Sequence, residues 1–308
     1  MVRISAIICT YKRADYLRTA LRSLCKQTLA RDQYEIIVVD NAGEAAAAKV
    51  VEELRNENLD VRYVIEREVG LSHARNRGLN EARGSYIAYL DDDARADERW
   101  LATLTQLFDQ TQAAAIGGRV WLDWHGEKPV WVGDEQLSLF TFVDHGEESH
   151  ILRKGEYVVG ANIAFRVDRL KEVGGFDAKL GRQGAVLLSG EEAQVIRAMI
   201  DRGWTVYYEP AALVWHSVDS SRKRPSWLLR RMFWDGASQP LVDGTSQNRS
   251  RRAILSGINR DLRQCMRWFV VAIGATVRGE RNSAWESLLG FSQRAGRIRT
   301  QLQFFWLA

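Results

Sequence analysis

Ser85-Tyr-Ile-Ala-Tyr-Leu-Asp-Asp-Asp93 is the stretch on which the reading of this chain turns. Its first six residues, rich in aromatic and aliphatic side chains, have the length and composition of a buried strand. Asp91, Asp92 and Asp93 follow without a spacer, so their carboxylates emerge at the strand's carboxyl end. Open α/β sheets bind ligands outside those ends. Clustered carboxylates there suit a hard divalent cation, Mg²⁺ or Mn²⁺, that bridges phosphate oxygens. A phosphorylated substrate held with such a cation is the first expectation.

Similar apolar runs precede it at Ile4–Cys9, Tyr34–Val39 and Val61–Ile65. Segments of helical character separate or follow the runs at Asp15–Leu24, Ala45–Asn58, Leu71–Ala82 and Asp97–Phe108. This alternation predicts an α/β fold, a Rossmann-like and mostly parallel sheet flanked by helices. A further strand at Ala113–Trp121 is expected to continue it. From Leu122 to Glu156 the pattern weakens into loops or short strands on the sheet's rim. Residues 158–165 read as a strand with a glycine-permitted bend, and Gly190–Arg202 as a helix whose opening acids complement its dipole.

With 46% hydrophobic residues, the 308-residue chain has ample material for a core, which excludes disorder as its main state. Three cysteines, an odd and widely spaced set, indicate neither a disulfide framework nor a zinc cluster and fit a reducing cytoplasm. The first nine residues lack the pattern of an export signal. The apolar segment Trp268–Val277 is half the roughly 20 residues a bilayer span requires, so no membrane crossing is expected.

Charge divides the chain. Residues 220–308 carry 16 Lys and Arg against 5 Asp and Glu, a net +11, whereas residues 1–219 carry 27 against 34, a net −7. A boundary near Asp219 is expected to separate an α/β domain, 1–219, from a basic, mainly helical C-terminal extension, 220–308. Arg222, Lys223, Arg224, Arg230 and Arg231 surround Trp227, and Arg249, Arg251 and Arg252 follow. Arg260, Arg263 and Arg267 then precede Trp268-Phe269. Helices mixing Arg with Trp and Leu suit an anionic membrane surface, here the cytoplasmic face, with an ordinary solvated face as the plain alternative. No recognition motif supports nucleic acid as a partner.

Thr10, Tyr11 and Arg13 leave the first strand and Asp40 the second. Two adjacent strand ends offering a ring, a hydroxyl and a carboxylate can hold a nucleobase, although either can equally cap the next helix. Arg75 and Asn76 lie in Gly70–Gly78, just before the carboxylate strand. They are placed to meet a diphosphate or an aspartate, the alternative being a solvated helix face.

Taken together, these motifs resemble those of the family 2 glycosyltransferases, whose nucleotide-sugar domain has the GT-A fold. The ordered set comprises Cys9-Thr-Tyr11, Val38-Val-Asp-Asn41, Gly70–Gly78, Leu90-Asp-Asp-Asp93, Gly160–Phe165, Gly174-Gly-Phe-Asp177, Gly190-Glu-Glu192 and Trp215-His216. The resemblance implies that Asp40 with Thr10 and Tyr11 holds the base, usually uracil. It puts Asp91 and Asp92 on the nucleotide sugar, Asp93 on the metal, and His216 where similar enzymes complete the metal site. Gly190-Glu191-Glu192 matches a Gly-Glu-Asp pattern whose third residue is the general base. Here Glu replaces Asp, and one added methylene moves the carboxylate by about 1.5 Å, so Glu191 can share or take the role. The glycines of Gly174–Asp177 suit a floor beneath the transferred sugar. Trp121, Trp124 and Trp131 offer faces for acceptor stacking, although tryptophans more often pack in cores.

The activity so implied is inverting, metal-dependent transfer of a sugar from a nucleoside-diphosphate donor, UDP-linked in the usual case, to a hydroxyl acceptor. Polysaccharide or glycolipid assembly is the expected setting, with a lipid-linked saccharide as acceptor. A nucleotidyltransferase is the nearest alternative, but Cys9–Ala14 lacks the glycine-rich phosphate loop such enzymes carry. A non-catalytic sugar-nucleotide-binding scaffold is the other, opposed by the retained carboxylates at Asp91, Asp93 and Glu192.

Overall fold

The structure, a computed structural model, describes residues 1–56, 61–243 and 250–307. The expected helix end at Asn58 and the basic residue Arg249 lie outside the described residues. Strand β1 (Ile4–Thr10) leads through α1 (Ala14–Cys25), β2 (Tyr34–Asp40), α2 (Ala45–Asn56) and β3 (Val61–Ile65) to α3 (Leu71–Glu81). Then come β4 (Tyr86–Asp91), β5 (Ala94–Ala96), α4 (Trp100–Gln110), β6 (Ala115–Asp123), β7 (His150–Ile151) and β8 (Asn162–Arg166). Helices α5 (Val167–Glu172) and α6 (Glu191–Asp201), strand β9 (Val206–Ser217), and helices α7 (Pro225–Val242), α8 (Arg251–Val277) and α9 (Arg281–Leu307) complete the order.

Alternating side chains split the central strands between two apolar layers. Ile4, Ala6 and Ile8 of β1, with Ile36 and Val38 of β2, pack with Leu17, Leu21 and Leu24 of α1 and Leu104 of α4. Ile7, Ile37 and Val39 face the opposite layer, with Ala74 and Leu79 of α3 and Val195 and Met199 of α6. Both faces being covered, these strands read as continuous apolar runs, which is why the sequence reveals them.

The sheet runs β3-β2-β1-β4-β8-β6-β9-β5, with β7 paired to β9. Strands β1 to β4 form a parallel set, β8 is antiparallel to both β4 and β6, and β6 is parallel to β9. The expected strand at 113–121 therefore keeps the direction of β4, with β8 inserted between them. The twelve-residue β9 has no counterpart among the expected strands, because Glu209 and Pro210 interrupt its apolar pattern. A register irregularity opposite them, between Gly118 and Val120, makes room for a residue that donates no ladder hydrogen bond. Helix α4 begins at Trp100 rather than at Asp97, whose backbone N–H instead reaches Leu213 of β9 and whose side chain accepts from the Arg99 amide.

Two compact units result. One comprises residues 1–126, 140–178 and 191–218, and holds the whole sheet; the other comprises 127–139, 179–190 and 219–308. In the second, α9 packs on both α7 and α8, and Gly236 and Gly296 allow α7 and α9 to approach at backbone distance. Ser250 caps α8 by accepting the Ala253 amide. Among the described residues, no helix is long and apolar enough to cross a membrane.

Candidate active site

Strand register brings the polar ends together. Thr10 pairs with Asp40 and Cys9 with Asp91, so three strand ends reach the same edge of the sheet. Asp40 is fully buried, and its Oδ1 accepts the amides of Ala42 (2.8 Å) and Gly43 (3.0 Å). Its Oδ2 accepts the Glu44 amide (3.0 Å) and the Tyr63 hydroxyl (2.6 Å). The geometry is that of a carboxylate closing the turn into α2. Tyr11, the residue after β1, is partly buried, with the Lys12 ammonium 5.5 Å from its ring centre.

The acid triplet divides by alternation. Asp91 and Asp93 converge with His216 so that one ligand atom from each lies within 4.8 Å of the others. Pairing of Ala94 with His216 between β5 and β9 delivers the imidazole, whose Nε2 sits 3.2 Å from Asp93 Oδ1. Two carboxylates and one imidazole nitrogen at this spacing fit a single hard divalent cation such as Mg²⁺ or Mn²⁺. Asp91 joins this group, whereas the resemblance gave it only to the nucleotide sugar; the two-residue spacing of Asp91 and Asp93 is the signal that pairs them.

Asp92 instead accepts the Thr10 hydroxyl at 2.8 Å. Arg13 spans the cluster, its Nη1 donating to Asp92 Oδ1 (3.0 Å) and its Nη2 to Asp93 Oδ2 (2.8 Å), with its guanidinium over the Tyr16 ring. Burial, and then the charge of Asp93, push the Asp92 carboxyl up to about 7 against the opposing effect of Arg13. The sequence suggested a nucleotide contact for Arg13 but not this double clamp.

Beyond the triplet, Arg75 is almost fully enclosed, 2.6 Å from Glu191 Oε1 and 3.6 Å from Asp91 Oδ1. A side chain at Gly160 would run into its guanidinium, which explains glycine there. Glu192, the next residue on α6, accepts a 3.3 Å bond from the Gly160 amide on Oε1, and its enclosed Oε2, like that of Glu191, has no hydrogen-bond partner. Burial, and then the neighbouring Glu191 charge, push the Glu192 carboxyl up to about 7. Gly190 makes the preceding turn at φ 97°, in the left-handed region. Asn76 commits both ends of its amide to the backbone of Phe176, fixing the Gly174–Asp177 loop. Cys9, raised by burial to about 12, stays a thiol and is no nucleophile.

A cleft of about 230 Å³ opens beside Asp93, lined also by Tyr16, Arg95, Asp123 and Trp215. Of the three tryptophans considered for acceptor stacking, Trp121 is exposed, Trp124 packs against Phe140 and Trp131 against Trp285.

This architecture recurs among solved structures. A mannosyltransferase, PcManGT from Pyrobaculum calidifontis, solved with GDP-Man and Mn²⁺, superposes with a TM-score of 0.63 at 17% identity, over 97% of this chain and 86% of that one. S. aureus TarS with UDP-GlcNAc gives 0.55 at 16% identity, over 78% and 67%. Fold and site together define a GT-A glycosyltransferase. The family model for glycosyl transferase family 2 matches residues 5–173, and the chain belongs to that family. Curated relatives agree: a glucosyl-dolichyl phosphate glucuronosyltransferase of Haloferax volcanii is 30% identical over 79% of this chain and 78% of its own length. The succinoglycan biosynthesis protein ExoM of Rhizobium meliloti is 32% identical over 74% and 71%.

Proposed function

We propose that this glycosyltransferase moves a sugar from a nucleoside-diphosphate donor, UDP-linked, to a hydroxyl acceptor with inversion at the anomeric carbon, and that residues 1–219 carry the chemistry. The observation that supports it most is Glu192: an enclosed carboxylate with an unpartnered oxygen and a pKa raised to about 7, suited to a general base. Glu192 Oε2 takes the acceptor hydroxyl's proton as that oxygen attacks the anomeric carbon. The bond from that carbon to the diphosphate breaks, its electron pair leaves with the diphosphate, and one displacement inverts the configuration. Glu191, tied to Arg75, serves as a positioning residue and keeps the guanidinium beside Asp91.

Asp91, Asp93 and His216 would hold the divalent cation, which when bound would offset charge on the leaving diphosphate. Tyr11 and Thr10 frame the base, Asp40 shapes the turn beside it, and Asn76 holds the Gly174–Asp177 loop beneath the transferred sugar. PcManGT with Mn²⁺ and TarS with UDP-GlcNAc support the cation and the uridine nucleotide by analogy. The first curated relative, named for a glucosyl-dolichyl phosphate, supports a lipid-linked saccharide acceptor, and the second, named for succinoglycan biosynthesis, supports polysaccharide assembly.

Nucleoside diphosphate release, measured over a donor panel with and without Mn²⁺, tests the reading. Release with a UDP-sugar that requires Mn²⁺ and is lost in Asp93→Ala is expected. Release that is indifferent to Mn²⁺ contradicts it.

A further inference from the structure

Helix α8 is apolar on two sides. Ile254, Gly257, Ile258, Cys265, Ala272 and Ala275 are buried within the helical unit, as packing against α9 requires. A second stripe, Leu255, Leu262, Met266, Phe269, Ile273 and Val277, is exposed. Its members recur at helical spacing and fall on one face, flanking the buried one. Met266 is 70% exposed, Phe269 55% and Val277 81%. On α9, Leu288 and Phe291 are exposed as well, and the Phe291 ring lies 6.4 Å from that of Phe269, so the patch continues across both helices. A contiguous apolar surface of this kind marks an interaction site.

The charges beside it specify the occupant. Arg251, Arg252, Arg260, Arg263 and Arg267 are exposed on the same helix. Its one acid, Asp261, is fully buried and bound to Arg294, Arg297 and Gln301. The outer face of α8 is therefore an apolar stripe edged by uncompensated cations. A second copy of the chain would bring arginine against arginine. An anionic bilayer satisfies both features, taking the apolar side chains below the headgroups and the guanidinium groups at the phosphates.

We infer that the outer face of α8, extended by Leu288 and Phe291, docks in the plane of an anionic phospholipid membrane. Because none of the described helices is long and apolar enough to cross a bilayer, the attachment inferred is interfacial and reversible, and it weakens with salt. The inference is independent of which acceptor the active site uses.

Cosedimentation of the full chain with vesicles tests it, comparing pure phosphatidylcholine with vesicles containing one-third phosphatidylglycerol. Binding is expected only to the anionic vesicles. The double variant Met266→Glu/Phe269→Glu, at exposed positions, should lower partitioning by about tenfold or more, and Arg263→Glu/Arg267→Glu should lower it and flatten its salt dependence. Both should keep the wild-type melting temperature and wild-type turnover on a water-soluble acceptor. Equal partitioning of wild type and both variants overturns the inference. So does a dimer in sedimentation velocity that Met266→Glu/Phe269→Glu dissolves, with no vesicle binding by the wild type.

Discussion

Two enclosed carboxylates, one in each unit, show what separates structure from chemistry. In the helical unit, Asp261 receives Arg294 on Oδ1 at 3.0 Å, and Arg297 and Gln301 on Oδ2 at 3.4 and 2.8 Å. Its charge is matched and its oxygens are occupied. At the head of α6, Glu192 takes a long bond from Gly160 and leaves Oε2 without a partner, beside Glu191, whose Oε2 is likewise unpartnered. A finished carboxylate fixes helices, whereas an unfinished one keeps capacity for a proton.

The largest expected effect breaks the unfinished one. Glu192→Gln should retain the fold and donor binding while kcat falls by about 10²- to 10⁴-fold, the usual loss on removing a general base. Calorimetric donor binding alongside steady-state turnover separates the two properties. The reciprocal change, Asp261→Ala, leaves two arginines facing a cavity and should destabilise the protein by about 3–5 kcal/mol in denaturant unfolding. A loss under about 1 kcal/mol would show that the Asp261 cluster is no more structural than an exposed pair.

That contrast was only half legible in the sequence. Strands β1, β2 and β4 announce themselves because burial on both faces leaves continuous apolar runs such as Ile4–Cys9 and Tyr34–Val39. Strand β9 hides behind Glu209 and Pro210, and three-residue β5 carries no pattern, yet their pairing is what brings His216 to Asp93. Asp91 and Asp93 were legible as candidates because carboxylates at a strand end need a reason, and Arg75 because its segment precedes that strand, whereas His216, Glu191 and Glu192 stood out through the resemblance. Which oxygens are already occupied was not legible, since Asp40 and Asn76 are matched by Tyr63 and Phe176, partners set by tertiary folding. The mixture of Arg with Trp and Phe in α8 was legible as suiting an anionic surface, but which of its apolar positions are exposed was not, because an apolar position does not declare which face is covered.

A smaller effect concerns Arg13, which bonds both Asp92 and Asp93 where a cation is proposed to bind. Arg13→Ala should tighten donor-free Mn²⁺ binding by about tenfold, the scale of one partly screened charge, as read by Mn²⁺ electron paramagnetic resonance. Unchanged affinity would mean that the clamp and the cation do not compete.

The smallest effect is on stability against pH. Glu192 has a folded pKa of about 7 against an ordinary 4.5, so between those values the folded state keeps a proton that the unfolded state has lost. Stability then falls as pH rises through that window, and Asp92, raised from 3.8 to about 7, acts in the same direction. Glu192→Gln should flatten part of this slope in thermal melts taken from pH 4.5 to 7.

The profile of kcat/KM against pH, at saturating Mn²⁺ and a fixed acceptor, addresses proton removal by Glu192 most directly. Wild type should rise with unit slope up to an inflection near pH 7 and then level off, while Glu192→Gln should show a low rate without that inflection. An inflection near 7 that persists in Glu192→Gln, or a variant as fast as wild type, would contradict it.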